Sequence, residues 1–112
     1  MRKISLLLMF LIPVTSEAIP HQKGIASWYG NENRISSSGK RLNKHLPAAA
    51  HRYLPLGSLV KVTSTKTKKS VIVLVEDRGP YIKNRIIDLN YKAAKQLGMV
   101  KRGLEEVILE KV

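Results

Sequence analysis

The run Leu59-Val60-Lys61-Val62-Thr63-Ser64-Thr65-Lys66-Thr67-Lys68-Lys69-Ser70-Val71-Ile72-Val73-Leu74-Val75-Glu76-Asp77-Arg78-Gly79-Pro80 decides the fold. Its first part sets Leu59, Lys61 and Thr63 against Val60 and Val62, the period of two expected of a strand with one buried face. Its second part, Ser70 to Glu76, is a β-branched run too short for a buried helix and suited to a strand. Lys66 to Lys69 between them is a polar, basic turn, so the whole predicts a hairpin. The hairpin ends in Asp77-Arg78-Gly79-Pro80, where a carboxylate and a guanidinium stand beside a Gly-Pro pair that restricts the turn.

Downstream, Arg85-Ile86-Ile87-Asp88-Leu89 reads as another short strand. Asn90 is placed to cap a helix from Tyr91 to Leu97, which carries Ala93, Ala94 and Leu97 on one face and ends at Gly98. Gly103 to Val112 fits either a helix or a strand by spacing. Upstream, Gly24 to Gly30 has the aromatic, glycine-bounded look of a strand, and Ile19 to Lys23 reads as a short flexible leader. Asn31 to Lys44 is polar and without apolar period, which predicts a long surface loop. Leu46 to His51 is ambiguous, because its alanines favour helix while Pro47 opposes it. Several short strands and one helix point to a small β-barrel rather than alternating β-α units.

The chain has 112 residues and no cysteine, which excludes a disulfide scaffold and leaves its stability to a well-packed fold. Met1 to Ala18 has the layout of a signal peptide: Arg2 and Lys3, an apolar stretch from Ile4 to Val14, and a small-x-small end at Ala18. That stretch is too short for a membrane span, so no membrane anchor is expected after cleavage. The formal charge of +12 favours a polyanionic partner. For an exported chain, that means an anionic envelope polymer before nucleic acid, for which no base-reading motif is present.

Asp77 is the first candidate for chemistry. Apolar packing from the Val71 to Val75 strand would raise its pKa, as a general acid needs, while Arg78 would lower it. The same pair also fits an ion-paired structural turn. His51, after three alanines, is placed to orient a carboxylate or a sugar hydroxyl, or to serve structure alone. Trp28, Tyr29 and Tyr81 offer flat faces for a sugar ring, although neighbouring strand residues cannot both face a core. Asp88 reads as a structural acceptor for backbone or for Arg85. His21 and His45 lack metal-ligand spacing, so no metal and no cofactor is expected.

These segments together resemble the rare lipoprotein A (RlpA) family of double-psi β-barrel proteins, relatives of the expansins. The resemblance rests on Gly24-Ile25-Ala26-Ser27-Trp28-Tyr29-Gly30, Ala49-Ala50-His51, Leu54 through Thr63, Glu76-Asp77-Arg78-Gly79-Pro80-Tyr81, Arg85-Ile86-Ile87-Asp88-Leu89 and Ala93-Ala94 through Met99, in family order. It implies a mainly β fold, a six-stranded double-psi β-barrel with one short helix over residues 19–112, whose C-terminal segment is a strand. It also implies a lytic transglycosylase of the periplasm or cell wall, secreted across the inner membrane. Such an enzyme cleaves the MurNAc-GlcNAc bond of peptidoglycan glycan strands, denuded ones preferentially, and leaves 1,6-anhydro ends.

On that resemblance Asp77 and His51 match the family's catalytic positions, with Trp28, Tyr29, Lys40, Arg78 and Tyr81 expected at the substrate. One acid suffices for this chemistry, because the sugar's own C6 hydroxyl replaces water as nucleophile. Where the family carries Gly-Glu, eleven positions before His51, this chain has Gly39-Lys40. A cation there opposes a protonated Asp77, so a non-catalytic, expansin-like peptidoglycan-binding module is the alternative. The family's lipidated cysteine is absent, and the expectation is a bare barrel without the C-terminal peptidoglycan-binding repeat domain.

Overall fold

The structure, a computed structural model, describes residues 21–30 and 45–112. The expected signal peptide, the polar loop and Lys40 lie outside the described residues. Six strands and a helix follow in chain order: β1 Gln22–Trp28, β2 Ala48–Ala50, β3 Leu59–Ser64, β4 Ser70–Asp77, β5 Arg85–Leu89, α1 Tyr91–Leu97 and β6 Glu105–Lys111. The strands close into a barrel in the order β1-β5-β2-β4-β3-β6. Closure leaves no unpaired sheet edge, a useful property for a small domain without disulfides.

The hairpin forms as its pattern requires. Val60 faces Val73 and Val62 faces Val71, while Lys61 and Ile72 pair on the outer side. Val60, Val62, Val71, Val73 and Val75 then join Ile87, Leu89, Val107 and Leu109 inside the barrel. α1 adds Ala93, Ala94 and Leu97 to that core. The turn is held by buried Ser64, whose hydroxyl accepts the amides of Lys66 and Thr67 and donates to Glu105.

Asn90 fastens α1 to the barrel. Its Oδ1 accepts the amide of Ala93 at 2.9 Å, capping the helix, and that of Ala48 at 3.1 Å, while its Nδ2 donates to the carbonyl of Leu46 at 2.7 Å. Gly98, at φ 79°, terminates the helix in the left-handed region.

The ambiguous segments are settled by partners distant in sequence. Residues 105–111 form a strand because β6 lies antiparallel between β1 and β3. Ala48–Ala50 is a strand held between β4 and β5, and all three alanines are buried. The leader reading of Ile19 to Lys23 needs correction at its end, since Gln22 and Lys23 pair with Leu109 and Ile108 and belong to β1.

Candidate active site

β1 pairs β5 in parallel and β2 pairs β4 in parallel, each with one register shift. The second shift builds the candidate site. In β4 the inward alternation Val71, Val73, Val75 reaches Asp77 next. Across the seam, however, Ala49 faces Val75 while Ala50 faces Asp77, so Glu76 is the extra residue. The shift brings Asp77 into line with Ala50, which faces Asp88 of β5, which in turn faces Ser27 of β1. Ser27, Asp88, Ala50 and Asp77 thus form one row across four strands. With neighbouring strands about 4.8 Å apart, Asp77 and Asp88 lie two strands, or about 10 Å, from each other.

Asp77 is 5% exposed, and its Oδ1 accepts the amide of Arg78 at 2.8 Å. His51 follows Ala50 directly, and its amide donates to the carbonyl of Asp77 at 3.0 Å. The His51 ring is buried. Its Nδ1 accepts the amides of Tyr53 and Leu54, both at 3.2 Å, so in the neutral ring the proton sits on Nε2 and faces Gln22 Oε1 at 3.1 Å. Burial first, then the fields of Arg78 and Arg52, lower its pKa from 6.5 to about 4. At neutral pH His51 is therefore an uncharged ring whose Nδ1 holds the loop after β2 and whose Nε2 ties it to Gln22 of β1.

Two arginines brace this region reciprocally. Arg78, in the loop after β4, donates from Nη1 to the carbonyls of His51 at 3.0 Å and Leu54 at 2.7 Å. Arg52, in the loop after β2, donates to the carbonyls of Pro80 at 2.7 Å, Ile82 at 3.2 Å and Arg85 at 2.8 Å. Each guanidinium thus ties down the loop that follows the other strand, and both loops border Asp77. In the left-handed region at φ 112°, Gly79 occupies a position that strains any residue with a Cβ.

The remaining sequence candidates are placed as follows. Tyr81 is 75% exposed at the tip of the loop braced by Arg52. Trp28 is half-buried against the core, tilted on the ring of Tyr91 at 5.7 Å, and donates Nε1 to the carbonyl of Val100. Tyr29 is buried as well, its hydroxyl 3.1 Å from Glu76 Oε2. Trp28 packs against the barrel core, whereas Tyr29, just past the end of β1, is covered elsewhere and reaches Glu76 between the inward Val75 and Asp77. Asp88 accepts the hydroxyl of Ser27 rather than Arg85. Among the described residues no group of three His, Asp or Glu side chains is placed to hold a metal ion.

Sequence reading overlooked Arg52, Tyr53 and Gln22. Arg52-Tyr53 directly follows His51, and a cation and an aromatic beside a candidate histidine are a readable signal; nothing local marks Gln22.

Comparison with known proteins places this geometry. A family model described as lytic transglycolase matches residues 21–108. The chain belongs to that family. A relative from Aquifex aeolicus named probable endolytic peptidoglycan transglycosylase RlpA is 51% identical over 84 residues, which are 73% of this chain and 37% of that protein. The endolytic peptidoglycan transglycosylase RlpA of Neisseria meningitidis serogroup A is 48% identical over 93 residues, 81% of this chain and 39% of that one. The chain thus spans well under half the length of these curated relatives. Among solved structures, the expansin of Clavibacter michiganensis superposes with a TM-score of 0.66 at 19% identity, over 83% of this chain and 50% of that one. That likeness is one of fold, and the lytic transglycolase domain here has the double-psi β-barrel architecture.

Proposed function

We propose that this domain is an endolytic peptidoglycan lytic transglycosylase that remodels the cell wall from the periplasmic side. Met1 to Ala18 serves as its export signal. The observation that carries the reading is the seam between β2 and β4, which sets Asp77 beside His51 and braces both with Arg52 and Arg78. The names of the half-identical relatives support the same activity.

Asp77 is the acid and then the base. Protonated, it donates to the oxygen linking MurNAc C1 to GlcNAc as that bond breaks, which frees the GlcNAc end as an alcohol. The carboxylate so formed takes the proton of the MurNAc C6 hydroxyl while that oxygen bonds to C1, giving the 1,6-anhydro ring and regenerating the acid. No water enters the products. His51, neutral and doubly bonded, acts as a positioning residue for the backbone on which Asp77 sits. Tyr81 and Tyr53, 75% and 66% exposed, are the rings open to stack on a sugar face.

Gly39-Lys40, in place of the family's Gly-Glu, favours a second reading, a glycan-binding module without turnover. Incubating the purified protein with denuded glycan strands and identifying new ends by mass spectrometry separates the two. Anhydro ends lost in Asp77→Asn support the enzyme. Glycan capture without products, followed by activity in Lys40→Glu, establishes the binder and names its cause.

A further inference from the structure

Beside the His51 ring opens a pocket of about 270 Å³ lined by Gln22, Lys23, His51, Arg52, Tyr53 and Ile86. Among the described residues no carboxylate lines it. Its hydrogen-bond polarity follows from the backbone. Because two amides occupy His51 Nδ1, Nε2 carries the proton and donates to Gln22 Oε1. The amide end of Gln22 is then turned to the hydroxyl oxygen of Tyr53 and donates to it. That oxygen accepts, so the hydroxyl proton of Tyr53 is left to donate into the pocket. Lys23, exposed on β1, adds an ammonium, and the guanidinium of Arg52 contributes positive field while its N–H groups hold the loop after β4. The ring of Tyr53 and the side chain of Ile86 supply apolar walls.

A pocket with an oriented O–H donor, an ammonium, no acidic lining and one flat ring suits a carboxylate carried on a sugar. We propose that Lys23 and Tyr53 form a carboxylate subsite of the glycan groove, engaging the lactyl carboxylate of a peptide-free muramic acid residue. This rests on the glycan-cleaving reading above and names the determinant of its substrate. His51 joins the two places, since its ring lines the pocket while its amide is bonded to Asp77.

The test is calorimetric binding to protein carrying Asp77→Asn, so that no strand is turned over. Four ligands of equal length are compared: denuded strands, denuded strands with the lactyl carboxylate converted to the methylamide, peptide-bearing strands, and chito-oligosaccharide. Denuded strands are expected to bind at least tenfold tighter than the methylamide and the chito-oligosaccharide. Lys23→Gln and Tyr53→Phe are each expected to remove most of that difference, while Lys61→Gln on the outer side of β3 leaves it unchanged. Peptide-bearing strands bound as tightly as denuded ones, with the same dependence on Lys23, keep the subsite and assign its carboxylate to the stem peptide. Equal affinity for the acid and the methylamide overturns the proposal, as does an equal loss from Lys23→Gln and Lys61→Gln. Because these are binding measurements, they stand whether or not the unmutated protein forms anhydro ends.

Discussion

His51 donates its backbone amide to the carbonyl of Asp77 at 3.0 Å, while its own carbonyl receives the guanidinium of Arg78, the next residue after Asp77, also at 3.0 Å. The histidine thus supports the aspartate through main chain and neighbour rather than through a side-chain pair. The consequences for pH, for the loops and for the core are separable.

His51 is held neutral in the fold, with its pKa lowered from 6.5 to about 4. The unfolded chain takes up a proton on this residue between those values and the folded one does not, so stability rises with pH through that window. Its contribution is complete above about pH 6.5 and lost as pH falls toward 4, amounting to about 2–3 kcal/mol. Urea melts across this range should show the slope, and His51→Gln should flatten it. A transglycosylase rate that follows a group titrating near 6.5 would exclude the neutral, positioning role.

Arg78 reaches two carbonyls through Nη1 at the far end of its side chain, beyond where the shorter lysine places its ammonium. Arg78→Lys should leave a folded barrel, seen by an unchanged far-ultraviolet spectrum, with turnover reduced about tenfold or more by misplacement of Asp77. An Arg78→Lys protein with unchanged turnover would show that the brace does not position Asp77.

Asn90 is completely buried and joins three backbone groups from two segments. Asn90→Ala removes a helix cap and leaves the amide of Ala48 and the carbonyl of Leu46 without this partner. A loss of about 2–3 kcal/mol is expected. Thermal unfolding should shift by on the order of 10 °C or more in a domain of this size.

Gly24 tolerates no side chain, because a Cβ there would stand 2.7 Å from Cγ2 of Ile86 across the β1–β5 seam. Gly24→Ala should cost about 1–3 kcal/mol by overpacking. Ile86→Ala in the same chain should recover most of it, a coupling that a double-mutant cycle reads directly.

The hairpin, β5 and α1 were legible because each carries its own signal: two-residue alternation, a β-branched run, or an asparagine and a glycine at opposite helix ends. The start of the first strand and the last strand were not legible from local pattern, although the family resemblance implied the last strand. Gln22 and Lys23 are strand only because β6 lies beside them, and residues 105–111 are strand only because β1 and β3 flank them. The candidate site was half legible. Asp77 and His51 stood out through motif, but the shift at Glu76 that aligns Asp77 with Ala50 is a property of pairing, invisible in either strand alone. Arg52 was marked by its place beside His51, but its bracing role was not legible, because its partners, the carbonyls of Pro80, Ile82 and Arg85, have no residue-type signature.

The most direct test of the central claim is digestion of denuded glycan strands in heavy-oxygen water, with the new MurNAc ends read by mass spectrometry. Anhydro ends free of the heavy isotope are expected from the unmutated protein, with a rate about 10²–10⁴-fold lower in Asp77→Asn. Ends that carry the isotope, or anhydro ends formed at an unchanged rate by Asp77→Asn, would contradict the assignment of Asp77 as the acid and base of an intramolecular transfer.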